Sequence, residues 1–442
     1  MDILIKVIQL FLCFTILVGL HEFGHYIVAR IFKIRVEKFY IFFDPWFSLF
    51  KFKRGDTEYG VGWLPLGGYV KIAGMIDESM DTEQMQQPIQ PWEFRAKPAW
   101  QRFLVMIAGV VMNILLAILI YCAICWVWGE NYFSNKDAIY GYNFNEQAEE
   151  LGFVDGDKII SIDGEEIDNV IRITNMLLIT DKERDVVVER DGKIEHIVIP
   201  FEKLIELRQT RGGETFSTLI FPFIIDSISY PGAVEAGLMR DDRIVALNGE
   251  RMVDFNSYSE KLQQLKGEIG TFTIQRQGEE LELSIPIDTT GRIGVMVKDP
   301  TTFYKMRTQN YSLLEAIPAG INKCGRTISS YWEQLKLIAQ PKTKMYEELG
   351  GFIAIGSIFS SEWNWLDFWL KTAFLSIILA IMNILPIPGL DGGHAIFTLW
   401  EMLTGRKLSD KFLEVAQWIG LIILFALLLY ANGNDIYRFF IK

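Results

Sequence analysis

Two of the four histidines in this 442-residue chain stand in the run His21-Glu22-Phe23-Gly24-His25. On a helix, residues four apart share a face, so both imidazoles can reach one divalent ion. Zinc suits this donor spacing, with Glu22 beside it as general base for a water molecule. A catalytic zinc also needs a third protein ligand and an open position. The best-placed carboxylate is Asp391, in the segment Asn383-Ile-Leu-Pro-Ile-Pro-Gly-Leu-Asp391-Gly-Gly-His394. Pro386 and Pro388 remove backbone donors, and Gly389, Gly392 and Gly393 loosen the chain, so regular helix ends there. Asp391 either turns toward a metal or caps the helix that begins near Ala395. With the histidine pair present, ligation is the expectation.

The elements that must position these groups are membrane spans. Phe103–Trp128 is 26 residues without a charge, and Val415–Asn432 and Ala373–Leu390 are 18 each. About 20 apolar residues cross a bilayer. The first 20 residues are uncharged apart from Asp2 and Lys6 and mostly apolar. They carry no A-x-A-like cleavage site, so they read as a span rather than a signal peptide. Four spans result. Two histidines and a glutamate at the end of the first are costly in lipid, by about 2.5–3.5 kcal/mol per ionised group, and therefore point to function. His21 is roughly 27 Å along a helix from Ile3. Asp391 ends a span entered near residue 367, so both motifs reach the same leaflet. Arg30, Lys33, Arg35 and Lys38 place that leaflet on the cytoplasmic side.

Charge divides the chain. Residues 129–300 hold 33 acidic and 18 basic residues, a net of −15, while the whole chain nets −12. This balance disfavours a nucleic-acid partner. Four cysteines, Cys13, Cys122, Cys125 and Cys324, are too few for a disulfide framework. Within the acidic segment Gly152–Glu165 matches Gly237–Glu250 with five of 14 residues identical, and Glu189–Pro200 matches Gln275–Pro286. Two matches in nearly one frame imply duplicated domains of about 85 residues. Each has a short strand ending in Asp163-Gly164 or Asn248-Gly249, a turn pair. The pattern looks like PDZ domains, which bind extended peptides at a sheet edge. Two small β-rich spacers without a ligand are the alternative.

HEFGH, NILPIPGLDGGH and a tandem PDZ insert between the second and third spans together resemble the site-2 protease family of intramembrane zinc metalloproteases, over almost the whole chain. The resemblance implies that His21, His25 and Asp391 bind Zn2+, that Glu22 is the catalytic acid/base, and that Asn383 holds substrate backbone near the metal. It marks Asn113, with Gly109 in a G-x-x-x-N element, as a substrate-side position. The family often has Pro after that Gly; here Val110 stands instead, which puts the element's role in doubt. The resemblance also implies a membrane-reentrant β-hairpin, matched by Tyr59–Trp63 and Pro65–Val70. A cytoplasmic hairpin without substrate contact is the plainer reading. An edge strand at 59–63 would replace the hydrogen bonds of an unwound substrate helix. Gly60, Gly62, Gly67 and Gly68 would allow close backbone approach.

The expected fold class is a polytopic α-helical membrane protein of four spans, with that hairpin and two extracytoplasmic α+β PDZ-like domains. The expected divisions are a first span at 1–30, a cytoplasmic-side loop with the hairpin at 31–97, and a second span at 98–128. PDZ-like domains follow at 129–204 and 205–300, then a linker at 301–365 with an amphipathic helix opened by the capping box Ser312–Glu315. The third span with its LDGG motif takes 366–394, and the fourth span and tail take 395–442. The implied activity is hydrolysis of single-span membrane proteins already trimmed outside, anti-sigma-factor-like proteins or remnant signal peptides, in the bacterial inner membrane. The partners are substrate helices, the lipid bilayer and peptide C-termini at the PDZ domains, which would exclude bulky ectodomains. A membrane zinc protease with a Glu third ligand, a catalytically silent PDZ scaffold and a zinc transporter are the rival readings. His394 is a candidate support for the site, His196 reads as a surface residue, and Cys122-x-x-Cys125 lies inside a span.

Overall fold

The computed structural model describes residues 2–64, 67–75, 87–209 and 216–441. Two compact units emerge: Met1–Gly129 with Asn310–Lys442, and Glu130–Gln309.

In the first unit, helices α1 (Asp2–Ile31), α2 (Ala99–Trp128), α3 (Leu313–Ile338), α4 (Phe352–Ser357), α5 (Trp365–Ile384), α6 (Asp391–Thr404) and α7 (Asp410–Ile436) carry the architecture. Four of them, α1, α2, α5 and α7, are long and apolar enough to cross a membrane. Their ends follow local chemistry. Asn364 accepts the Asp367 amide and Ser409 accepts the Phe412 amide, satisfying first-turn donors. Gly129 and Gly405 end α2 and α6 at φ +66°. Packing centres on α2, which touches α1, α3, α5 and α6. The outer spans leave Ile3, Phe11, Ile422 and Leu429 exposed, as suits side chains that face lipid rather than protein. The capping box at Ser312 and Glu315 is formed. Helix α3 lies along α2, where Gly320 meets the Cys122 backbone and Thr327 meets Tyr121.

Strands β1 (Val36–Ile41), β2 (Phe43–Arg54), β3 (Thr57–Leu64) and β4 (Tyr69–Ile72) form one sheet in the order β2-β3-β1-β4. This corrects two expectations. The element is a four-stranded sheet rather than a hairpin, because the chain pairs at once on leaving α1 and because Phe43–Arg54, despite Pro45, is a strand. Strand 59–63 is not an edge: β3 pairs with β1 on one side and β2 on the other. Its glycines serve packing inside the sheet. A Cβ on Gly60 would lie 2.3 Å from the Tyr40 ring, and one on Gly62 would lie 2.1 Å from the Phe43 carbonyl oxygen. The outer strands are β2 and β4. Pro65 and Leu66 lie outside the described residues.

In the second unit, two cores form, one around Tyr142, Phe153, Ile159 and Val186, the other around Phe223, Ile244, Tyr258 and Phe272. Each half has a four-stranded sheet in which Lys158–Ile162 or Arg243–Leu247 lies between a short hairpin strand and a long antiparallel one. Each holds a bidentate ion pair on a buried carboxylate, Asp157 with Arg190 and Asp242 with Arg276. In each, the arginine also donates to a glycine carbonyl, of Gly152 or Gly237. Strand Glu130–Phe133 pairs with Met306–Gln309, tying the two ends of the unit together.

Candidate metal centre

His21 and His25 are both buried on one face of α1. They can sit close to α2 because the two helices touch through glycine. A Cβ on Gly24 would lie 2.6 Å from the Ala108 carbonyl oxygen. A Cβ on Gly109 would lie 2.4 Å from His25 Nε2 and 2.5 Å from His21 Cε1, so the rings rest where a side chain would otherwise stand.

Asp391 reaches them from the first turn of α6. The cap of that helix is Leu390, which makes no side-chain capping bond, so Asp391 is not serving as an N-cap. The turn before it folds tightly onto α6. Gly392 and Gly393 stand where a Cβ would lie 2.3 Å and 2.6 Å from the carbonyl oxygens of Leu385 and Ile387. Asp391 Oδ2 lies 3.0 Å from His21 Nε2 and 3.3 Å from His25 Nε2, and the two Nε2 atoms are 3.3 Å apart.

Hydrogen bonding decides what this triangle is. His25 Nδ1 lies 2.8 Å from the Val105 carbonyl oxygen, which can only accept, so the Nδ1–H donates and Nε2 offers a lone pair inward. Asp391 Oδ2 is buried and has no hydrogen-bond partner among the described residues. The His25 lone pair and the Asp391 carboxylate oxygen thus point at each other, an arrangement that a cation would join. Zinc ligands at about 2.0–2.1 Å in a tetrahedron stand about 3.3–3.4 Å apart, close to the three edges here. The donor set therefore fits zinc. Among the described residues these three form the one group of His, Cys, Asp or Glu side chains suited to a metal.

Around the triangle, Asn383 Nδ2 lies 3.3 Å from His21 Nε2. Asn113 is fully buried, with its amide 3.1 Å from His21 Nδ1. Glu22 lies beside the start of β4, where a Cβ on Gly68 would be 3.4 Å from Glu22 Cγ. His394 packs edge-on to Phe397 and lines a small cavity with Arg102, Thr398 and Glu401. His196 is exposed and faces Asp185. Cys122 and Cys125 form no disulfide. Sequence reasoning missed the Val105 carbonyl and the role of Gly24; a residue without a side chain between the two histidines was the available signal.

A bundle of apolar helices built around this donor set defines a membrane zinc metallopeptidase. The model of peptidase family M50 matches residues 9–427, and the chain belongs to that family, the site-2 proteases. It is 29% identical over 453 residues to the "Regulator of sigma E protease" of Haemophilus influenzae, covering 96% of this chain and 97% of that one. It is also similar to proteins named "Putative zinc metalloprotease". In Xylella fastidiosa (strain 9a5c) the identity is 28% over 450 residues, with 96% of each chain covered. In Vibrio cholerae it is 28% over 462 residues, with 99% of each covered.

Proposed function

We propose that this chain is an intramembrane zinc endopeptidase that cuts single-span membrane proteins after an outer-side cut has shortened them. In this reading His21, His25 and Asp391 hold the zinc and Glu22 is the catalytic acid/base. The observation that carries it is the triangle of two imidazole nitrogens and one carboxylate oxygen, 3.0–3.3 Å on a side, at the end of an apolar span. Anti-sigma-factor-like proteins and remnant signal peptides are the proposed substrate class; the name of the Haemophilus influenzae relative supports the former.

Zinc held at these residues supplies a Lewis acid for a water molecule and for the scissile carbonyl. Glu22 takes a proton from the water and passes it to the leaving amine. The Asn383 amide, beside the metal ligands, donates to substrate backbone and holds the peptide bond in place. A helical substrate must be extended to be cut. We place the extended segment along the outer strand β4, whose first residues follow Gly67 and Gly68 next to Glu22, instead of along 59–63. Strand addition there would restore the hydrogen bonds lost on unwinding.

The domains of the second unit are proposed to be a tandem PDZ pair on the extracytoplasmic side of a bacterial inner membrane, with both chain termini on that side and the zinc toward the cytoplasm. Their matching strand order and matching ion pairs support duplication. The pair would act as a size filter and take peptide C-termini. Co-expression with single-span proteins, comparing wild type with Glu22→Gln, tests the reading. Uncut precursor should accumulate with the variant alone; equal processing by both would end it.

A further inference from the structure

The β1–β2 junction and the irregular start of β2 hold two aromatic residues in the left-handed region, Phe42 at φ +69° and Trp46 at φ +73°. Bulky side chains adopt that conformation only when the surroundings impose it. The residue between them whose side chain makes polar contacts is Asp44. Its Oδ1 accepts from Tyr69 Oη at 2.9 Å, and its Oδ2 accepts from Ser48 Oγ at 2.9 Å. The Trp63 indole donates to the Pro45 carbonyl oxygen at 2.8 Å. Behind this segment, Tyr40 is fully buried, donates to Glu58 and stacks on the Tyr69 ring at 5.3 Å. Phe43 also stacks on Tyr69, at 6.1 Å, and its ring edge fills the space over Gly67.

The glycine before Tyr69 carries these contacts to α1 beside the metal site. Gly68 packs on Val18 and Glu22 of α1 and on the Tyr40 carbonyl oxygen. A half-buried carboxylate is costly without hydrogen-bond donors, which here come from Tyr69 and Ser48. The segment, Tyr69 and the glycine pair are thus held together, with the Phe43 ring packed on Tyr69 and Asp44 hydrogen-bonding the segment to β4.

We infer that Asp44 is a positioning residue: by tying the bulged Phe42–Ser48 segment to Tyr69 it holds strand β4 at the distance from Glu22 that an extended substrate requires. The inference deepens the strand-addition reading above and rests on it. Asp44 touches neither substrate nor metal ligands, so its loss acts through substrate binding and leaves zinc in place.

The test uses the purified full-length zinc-loaded protein in detergent with a single-span substrate. Asp44→Leu and Tyr69→Phe should each raise KM about tenfold with kcat within about twofold, the signature of lost uniform binding. Zinc content should equal that of wild type. Asp44→Asn should restore KM, because the amide keeps an acceptor for Tyr69 and gains a donor for Ser48. The double variant Asp44→Leu/Tyr69→Phe should be no worse than either single one, as members of one contact are not additive. An unchanged KM in Asp44→Leu, additive losses, or no rescue by Asn would overturn the inference. Should Asp44→Leu fail to fold, Tyr69→Phe removes one oxygen from the same contact, and its KM decides the matter alone: raised, the inference stands; unchanged, it falls. A Glu22→Gln control as active as wild type would instead sink the protease reading itself.

Discussion

Asn113 brings its amide within 3.1 Å of His21 Nδ1, on the side of the ring opposite Asp391. Ligation through Nε2 leaves a proton on Nδ1, and that proton needs an acceptor. Asn113 Oδ1 is buried and has no partner among the described residues, so turning the amide about its last bond supplies one. Outer partners of ligating histidines contribute about 10–100-fold to metal affinity. Asn113→Leu should therefore weaken zinc binding by about that factor while leaving the protein in the membrane. Competition against a zinc chelator of known affinity reads it, and an unshifted competition curve would remove Asn113 from the site.

Gly109 makes a sharper demand. The rings of His21 and His25 occupy the space of its missing side chain, and a methyl there would approach both to about 2.5 Å or less. Gly109→Ala should push the imidazoles off the Asp391 carboxylate and abolish zinc binding and cleavage together. The same change at Gly325, where a Cβ meets nothing within 4 Å, should leave both intact. Metal analysis of the two purified variants, side by side, makes the comparison.

The proposed ligands and general base were legible in sequence because metal chemistry restricts residue type and spacing so tightly. His21 and His25 announce a shared helix face, and Asp391 follows from the broken helix that carries it. The spans were equally plain, since bilayer thickness sets their length. The sheet was harder. The β1–β2 junction and the start of β2 contain Asp44-Pro45 and two aromatic residues at positive φ, features that argue against a strand and that tertiary contacts override. Gly60 and Gly62 looked like room for a substrate and proved to be room for Tyr40 and the Phe43 backbone. A glycine states that something comes close, and only the fold says what.

Breaking one partner of the ion pair in either half of the second unit should destabilise that half alone. Asp157 and Asp242 are buried, and each receives two bonds from its arginine and one from a backbone amide. Removing the arginine strands a buried carboxylate, at a typical loss of about 3–5 kcal/mol. The arginines are only partly buried, so water will offset some of it. Arg190→Met should expose the first core to limited proteolysis at denaturant concentrations that leave the second intact, and Arg276→Met should do the reverse. Cleavage sites mapped by mass spectrometry would tell them apart. Simultaneous loss of both halves in either variant would contradict the two separate cores.

Proline placement separates the two strands that could meet a substrate. Proline removes a backbone donor and is tolerated on outer strands but not inside a sheet. Residue 61 lies on β3, paired on both sides, so Val61→Pro should disrupt the sheet and lower the amount of folded protein. Residue 69 opens the outer strand β4. Tyr69→Pro loses the Asp44 contact as well as a backbone donor, so it should cut turnover of a single-span substrate by about tenfold or more, roughly one lost charge-assisted bond and one strand contact. Zinc content should stay at the wild-type level, since none of the three donors lies on that strand. If Val61→Pro folds normally and alone reduces cleavage, the substrate pairs elsewhere than along β4, and the placement argued for the extended peptide is wrong.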